Sequence, residues 1–227
     1  MIEKEESTYW TATRPEEIGH TVLKLSYVTY PEENFVCKCF GIITLSPLYV
    51  MAALFGVFVT NKNIKVLHLA AGLVVSTVFN GVLKDYFREH RPAGSPVWGY
   101  GFPSDHSQFM GFFCAFCILA IFFRSAHLPG ITQLMLCTIV SGWTVAVLLS
   151  RYILRAHSFK QIFCGCGIGI FTGGLWYMFM TICESWLYKD LQIFVDRCVK
   201  WWSTNSAPVV QASESLFPSR LPKQKKR

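Results

Sequence analysis

The sequence predicts an all-α integral membrane protein, a multi-span helix bundle of about five transmembrane helices with its polar chemistry at one membrane face. Three observations carry that expectation. Apolar residues make up 52% of the 227 residues and charged residues only 15%, with a mean hydropathy of +0.35; water-soluble domains carry more charge than that. Five long apolar runs, nearly free of charge, each come close to the ~20 residues that cross a bilayer. Lipid offers backbone N–H and C=O groups no partner, so such runs are read as helices. Finally, cations, a serine and histidines stand at the ends of these runs rather than scattered along the chain.

The first 35 residues form an arm with three cations against seven glutamates. Residues 1–6 are acidic with no apolar run behind them, which does not read as a cleaved signal peptide. Residues 21–30 are mixed and weakly amphipathic, and suit either an interfacial segment or an extended arm.

The membrane-embedded domain is expected over 36–187. Its first span is 41–60, with Pro47 placed to kink it by removing a backbone donor. A polar turn, Asn61-Lys62-Asn63, leads to the second span, 64–83. His68 and Asn80 are its polar exceptions. His68 reads as an interfacial or packed histidine, and Asn80, one turn before Lys84, is placed to share its face. The third span is 107–123, the fourth 131–149 and the fifth 162–182. Gly165, Gly167, Gly169, Gly173 and Gly174 let the last span pack closely. Most of the nine cysteines lie inside these runs and read as buried small hydrophobes. Cys114-x-x-Cys117 and Cys164-x-Cys166 have metal-like spacing but no second ligand pair, so no metal site is expected. A basic tail follows over 188–227, and its end, 208–227, has the composition of a disordered segment.

Counting crossings brings the polar pieces together. The second span ends, and the third begins, on one side; the third and fourth make a hairpin that returns to it. Lys84, Arg91, Ser104, His106, Arg151 and His157 therefore share one membrane face. Lys62, Lys65, Arg124 and the basic tail share the other, which the positive-inside rule assigns to the cytoplasm. Lysines third and fifth from the end (Lys225, Lys223) resemble an endoplasmic-reticulum retrieval signal, which is read from the same side.

The residue types suit phosphate. Arginine grips two phosphoryl oxygens with a planar fork and lysine adds a point charge. A helix N-terminus, here after Ser104, adds N–H donors and a favourable dipole. Two histidines permit attack on phosphorus and proton transfer to the leaving oxygen. Singly, each residue has a plainer reading: Lys84, Arg88 and Arg91 as snorkelling side chains, Ser104 as an N-cap, Arg151 and Arg155 as interfacial anchors. The ordered set outweighs those readings.

In order, the pieces are Lys84-x6-Arg91-Pro92, Pro103-Ser104-x-His106 and Ser150-Arg151-x5-His157. They resemble the three-part signature of the type 2 phosphatidic acid phosphatase superfamily, over residues 25–177. The stretch 102–110 and Gln161 are most similar to the branch that acts on dolichyl diphosphate. The resemblance implies His157 as nucleophile and His106 as general acid and base. Lys84, Arg91, Ser104 and Arg151 would bind phosphate. It implies a metal-free, cofactor-free phosphatase in the endoplasmic-reticulum membrane, with a lumenal site and a cytoplasmic tail. Its substrate would be a polyisoprenoid diphosphate, cleaved to the monophosphate and recycled for protein N-glycosylation. Membrane lipids surround it; neither nucleic acid nor an obligate protein partner is expected. Other lipid phosphates, or binding without catalysis, are the alternatives. Arg88, His90 and Arg155 fall outside the signature. Many members have Asp four residues after the nucleophile; Gln161 stands there and is expected to accept the imidazole N–H. Asp105 is expected to turn away from phosphate, which it would repel.

Overall fold

The computed structural model describes residues 20–23, 28–31, 34–97, 99–184 and 188–216. A two-stranded antiparallel hairpin, β1 (His20–Leu23) and β2 (Val28–Pro31), precedes the bundle, with His20 opposite Pro31. Of the stretch 21–30, residues 21–23 and 28–30 are extended and 24–27 lie outside the described residues.

Helices follow in chain order: α1 (Phe35–Ile43), α2 (Ser46–Asn61), α3 (Ile64–Phe87), α4 (Asp105–Arg124), α5 (Gly130–Ile153), α6 (Phe159–Glu184) and α7 (Tyr188–Leu216). Among the described residues five helices are long and apolar enough to cross a membrane, at Phe35–Asn61, Ile64–Phe87, Asp105–Arg124, Gly130–Ile153 and Phe159–Glu184. The first is longer than its uncharged run and is broken at Thr44 and Leu45, just before Pro47 in the first turn of α2. Proline has no N–H and fits there, but would interrupt a continuous ladder. Large apolar side chains such as Val78, Val82, Phe123, Ile139, Phe163 and Phe171 face outward, as a lipid-facing surface requires.

Helix α4 is the centre of the bundle. Its partner is α6, and the two approach along Gly165, Gly169 and Gly173. A Cβ at Gly169 would overlap the Gln108 carbonyl oxygen, and one at Gly173 the Phe112 carbonyl. Small residues are what allow two backbones so close in a membrane. Gly167 and Gly174 have open space around them and take no part in that seam. Leu73, Met110, Phe112, Val147 and Met180 fill the core around it.

Of the membrane-run cysteines expected to be buried, only Cys183 is fully so. Cys114, Cys117, Cys137, Cys164 and Cys166 are half-buried, because they lie on helix flanks between the packed and the lipid-facing sides. Asn80 points as Lys84 does, toward the start of α4, where Lys84 Nζ lies 3.6 Å from Asp105 Oδ1. Asn80 is buried, and its Nδ2 donates to Gln108 Oε1 at 2.8 Å, tying α3 to the first turn of α4. His68 is packed, its ring 4.9 Å from that of Trp176.

On the face away from the cations, Glu184 pairs with both Lys65 and Arg124, joining the ends of three helices. Gln192 of α7 donates to the Lys62 carbonyl at 2.9 Å, so α7 rests on that same face. The tail expected to be irregular from residue 208 continues as helix to Leu216. An established helix adds a hydrogen bond for each residue fixed, and Gln211, Ala212 and Glu214 suit it. The acidic arm before residue 20 and the basic motif at 223–227 lie outside the described residues.

Candidate active site

Three connections build the site, all at one end of the bundle. Helix α3 ends at Phe87 with Arg88 in a left-handed cap (φ 48°). That leaves Lys84 on the last turn and sends the chain across the top of the bundle. Helix α5 ends at Ile153 and the chain folds back at once. The Arg151 carbonyl accepts from Ala156 N at 3.0 Å and from His157 N at 3.3 Å, which sets His157 beside the arginine it follows. Helix α4 starts between them. Ser104 N donates to the Gln161 carbonyl at 3.0 Å, fixing that start against α6.

His157 is held from both sides of its ring. Nδ1 lies 2.9 Å from the Gly101 carbonyl oxygen, and Nε2 lies 2.9 Å from Arg91 Nη1. A carbonyl only accepts and a guanidinium only donates. Nδ1 therefore carries the proton, and Nε2 presents its lone pair. Burial and the nearby Arg91 and Arg151 charges push the His157 pKa down to about 2, so the ring is neutral at physiological pH. A neutral imidazole with a directed lone pair is what nucleophilic attack requires.

The cations surround that lone pair. Arg91 Nη1 also donates to the Ala156 carbonyl at 2.8 Å. Arg151 is buried and its Nη1 donates to Thr44 Oγ1 at 2.9 Å. Thr44 Oγ1 in turn lies 2.9 Å from Ser150 Oγ. The break between α1 and α2 thus supplies the residue that aims Arg151. Arg91 Nε, Arg151 Nε and His106 Nδ1 are buried and hydrogen-bond nothing among the described residues. Three buried nitrogens without a partner, on three of the residues gathered here, suit an anion with several oxygens. Ser104 is fully buried and accepts from Ser107 Oγ at 3.0 Å, which leaves its own proton for another acceptor.

The structure thus brings Lys84, Arg91, Ser104, His106, Arg151 and His157 to one place. Arg88 and Arg155 are exposed and stay outside it. Two expectations are corrected. Gln161 does not accept from His157; its Nε2 donates to the His90 carbonyl at 2.8 Å and to Glu89 Oε1 at 3.2 Å. The imidazole N–H goes to Gly101, against which the Gln161 side chain packs. Gln161 therefore acts on His157 through the 89–101 loop. Asp105 does not turn away either. Its Oδ1 points inward, 3.6 Å from Lys84 Nζ, 3.4 Å from His106 Nδ1 and 3.9 Å from His157 Nε2. Attraction by Lys84 and the nearby arginines draws the carboxylate inward, where a repulsion had been foreseen.

Thr44, Gly101 and Glu89 were not foreseen. Thr44 carried a faint signal as a polar residue beside a proline break. A backbone acceptor such as Gly101 has none, since its role depends on the loop path alone.

The family model of the PAP2 superfamily matches residues 65–184, which include every one of these side chains but Thr44. A Dictyostelium discoideum protein named Dolichyldiphosphatase 1 is 33% identical over 168 residues, covering 69% of this chain and 70% of its own. The Saccharomyces cerevisiae protein named Dolichyldiphosphatase is 26% identical over 165 residues, with 69% of each chain covered. The Homo sapiens protein named Dolichyldiphosphatase 1 is 26% identical over 165 residues, covering 68% of this chain and 69% of its own. No solved structure matches.

Proposed function

This chain belongs to the PAP2 superfamily, and from that membership we propose that it is a membrane phosphatase that hydrolyses dolichyl diphosphate to dolichyl phosphate and inorganic phosphate. The observation that carries the reading is the neutral His157, its Nε2 lone pair directed among Lys84, Arg91 and Arg151. The relatives named for dolichyl diphosphate support the choice of substrate.

In this reading the outer phosphate enters between the cations. Arg91 leaves Nε2 for a phosphoryl oxygen, and Arg151 and the Ser104 hydroxyl bind others. The open N–H groups at the start of α4 add to them. His157 Nε2 attacks phosphorus, forming a P–N bond as the P–O bond to dolichyl phosphate breaks. His106 gives its proton to that leaving oxygen and then takes one from water, which attacks the phosphohistidine and frees phosphate. The cations act mainly by stabilising charge on the transferring group. The isoprenoid chain stays in the bilayer among the spans.

The positive charge of Lys62, Lys65 and Arg124 on the far face supports a cytoplasmic position for that face and a lumenal site in the endoplasmic reticulum. Protease added to sealed, cytosol-side-out microsomes should then reach α7; full protection would reverse the orientation.

The deciding assay is phosphate release from dolichyl diphosphate by detergent-solubilised protein, wild type against His157→Ala, with phosphatidate as competitor. Release by wild type only, little affected by phosphatidate, is expected. Equal release by both proteins would remove His157 as nucleophile. Release from phosphatidate alone would keep the mechanism and change the substrate.

A further inference from the structure

Asp105 occupies an unexpected place for a carboxylate. Among the described residues it is the only acidic side chain in ion-pair range of Lys84, His106 and His157 together, at 3.6, 3.4 and 3.9 Å from one oxygen, Oδ1. That spot has a chemical meaning. A phosphoryl group under attack by His157 must sit about 3–3.5 Å from Nε2, within reach of Lys84 and with its leaving oxygen toward His106. The Asp105 carboxylate therefore stands in the volume the phosphoryl group needs. It also carries the matching charge and matching oxygen acceptors.

Its hold there is by charge rather than by short hydrogen bonds. All three contacts are longer than a hydrogen bond, and His106 Nδ1 remains without a hydrogen-bond partner despite facing it. The side chain is 39% exposed, at the first residue of α4, so a rotation about its Cα–Cβ bond can carry it to water. Arg91 Nε and Arg151 Nε also have no hydrogen-bond partner among the described residues. A carboxylate has too few oxygens to satisfy the whole set, whereas phosphate has enough.

We propose that Asp105 is a displaceable counter-anion, filling the phosphoryl position in the free enzyme, yielding it to the outer phosphate of the substrate, and returning as inorganic phosphate leaves. The inference rests on the phosphatase reading of the site and adds a reason for product release. A lipid diphosphate is anchored by its chain in the membrane and can displace the carboxylate. Free phosphate has no such anchor and competes poorly with an anion tethered to the same helix. Asp105 thus weakens product inhibition without touching the attack itself.

The test is the affinity of the full-length, detergent-solubilised protein for inorganic phosphate, measured by calorimetric titration in wild type and Asp105→Asn. Binding at least 10-fold tighter in the variant is expected, together with a lower inhibition constant for phosphate in turnover. Equal or weaker binding overturns the proposal. If Asp105 served only to orient His106, kcat would fall while phosphate affinity held, which also overturns it. Asp105→Ser gives the same reading should the Asn variant fold poorly, since serine suits a helix start. The titration is independent of catalysis. Tighter phosphate binding in Asp105→Asn alongside full activity in His157→Ala would leave the counter-anion standing and discard the assigned nucleophile.

Discussion

Arg91 Nη1 donates to His157 Nε2 across 2.9 Å, so the lone pair that would attack phosphorus is capped by the group that would bind phosphate. The same nitrogen donates to the Ala156 carbonyl at 2.8 Å, one residue before the histidine. In the proposed mechanism Arg91 is therefore both clamp and ligand, and substrate has to take its place on Nε2. Lysine supplies the charge but not the rigid fork. Arg91→Lys should keep the fold and lower kcat about 100-fold, the size of losing one preorganised donor. A rate within twofold of wild type would show that the clamp has no part in turnover.

Gln161 donates to the His90 carbonyl and to Glu89, and a carboxylate can do neither. Gln161→Glu sets a second negative charge against Glu89, while Gln161→Leu removes the Nε2 donors and the Oε1 acceptor of Ser158 N. Both should destabilise, by roughly 1–3 kcal/mol for the buried groups left unpaired. Glu should be the worse of the two above pH 6. Melting temperatures in detergent decide it; a Glu variant more stable than Leu would mean the 89–101 loop is not held this way.

The depressed pKa of His157 links stability to pH. The folded ring resists a proton down to about pH 2, whereas an unfolded histidine binds one near 6.5. Between those values the unfolded chain holds the extra proton, so this group's stabilisation is complete above pH 6.5 and is lost as pH falls. The slope is at most about 1.4 kcal/mol per pH unit. His157→Asn should flatten the fall in unfolding midpoint between pH 6.5 and 4 relative to wild type. Parallel curves would place the proton elsewhere.

The seam between α4 and α6 makes a sharper stability test. Gly169→Ala forces a methyl group into the Gln108 carbonyl and should cost about 1–3 kcal/mol or more. Gly174→Ala meets open space and should change stability by less than about 0.5 kcal/mol. Comparable melting temperatures for the two variants would contradict the close approach.

The number of spans, their order and the face shared by the polar pieces could be read from the sequence. Each rests on a local rule: an uncharged run of membrane length must be helical, and alternate ends of successive spans must share a side. The candidate residues were named from their resemblance to a family signature, and the fold gathers Lys84, Arg91, Ser104, His106, Arg151 and His157 at one end of the bundle. Contacts across the bundle were decided only by the tertiary structure. Whether Gln161 met His157 or the 89–101 loop depended on where that loop crossed the bundle. The break before Pro47 was visible in the sequence, but not that it would deliver Thr44 to Arg151. The inward turn of Asp105 follows from a field summed over Lys84, Arg91 and Arg151, three cations brought together from two separate connections. No local pattern encodes such a field, because electrostatic attraction depends on distance in space, and only the folded chain sets that distance.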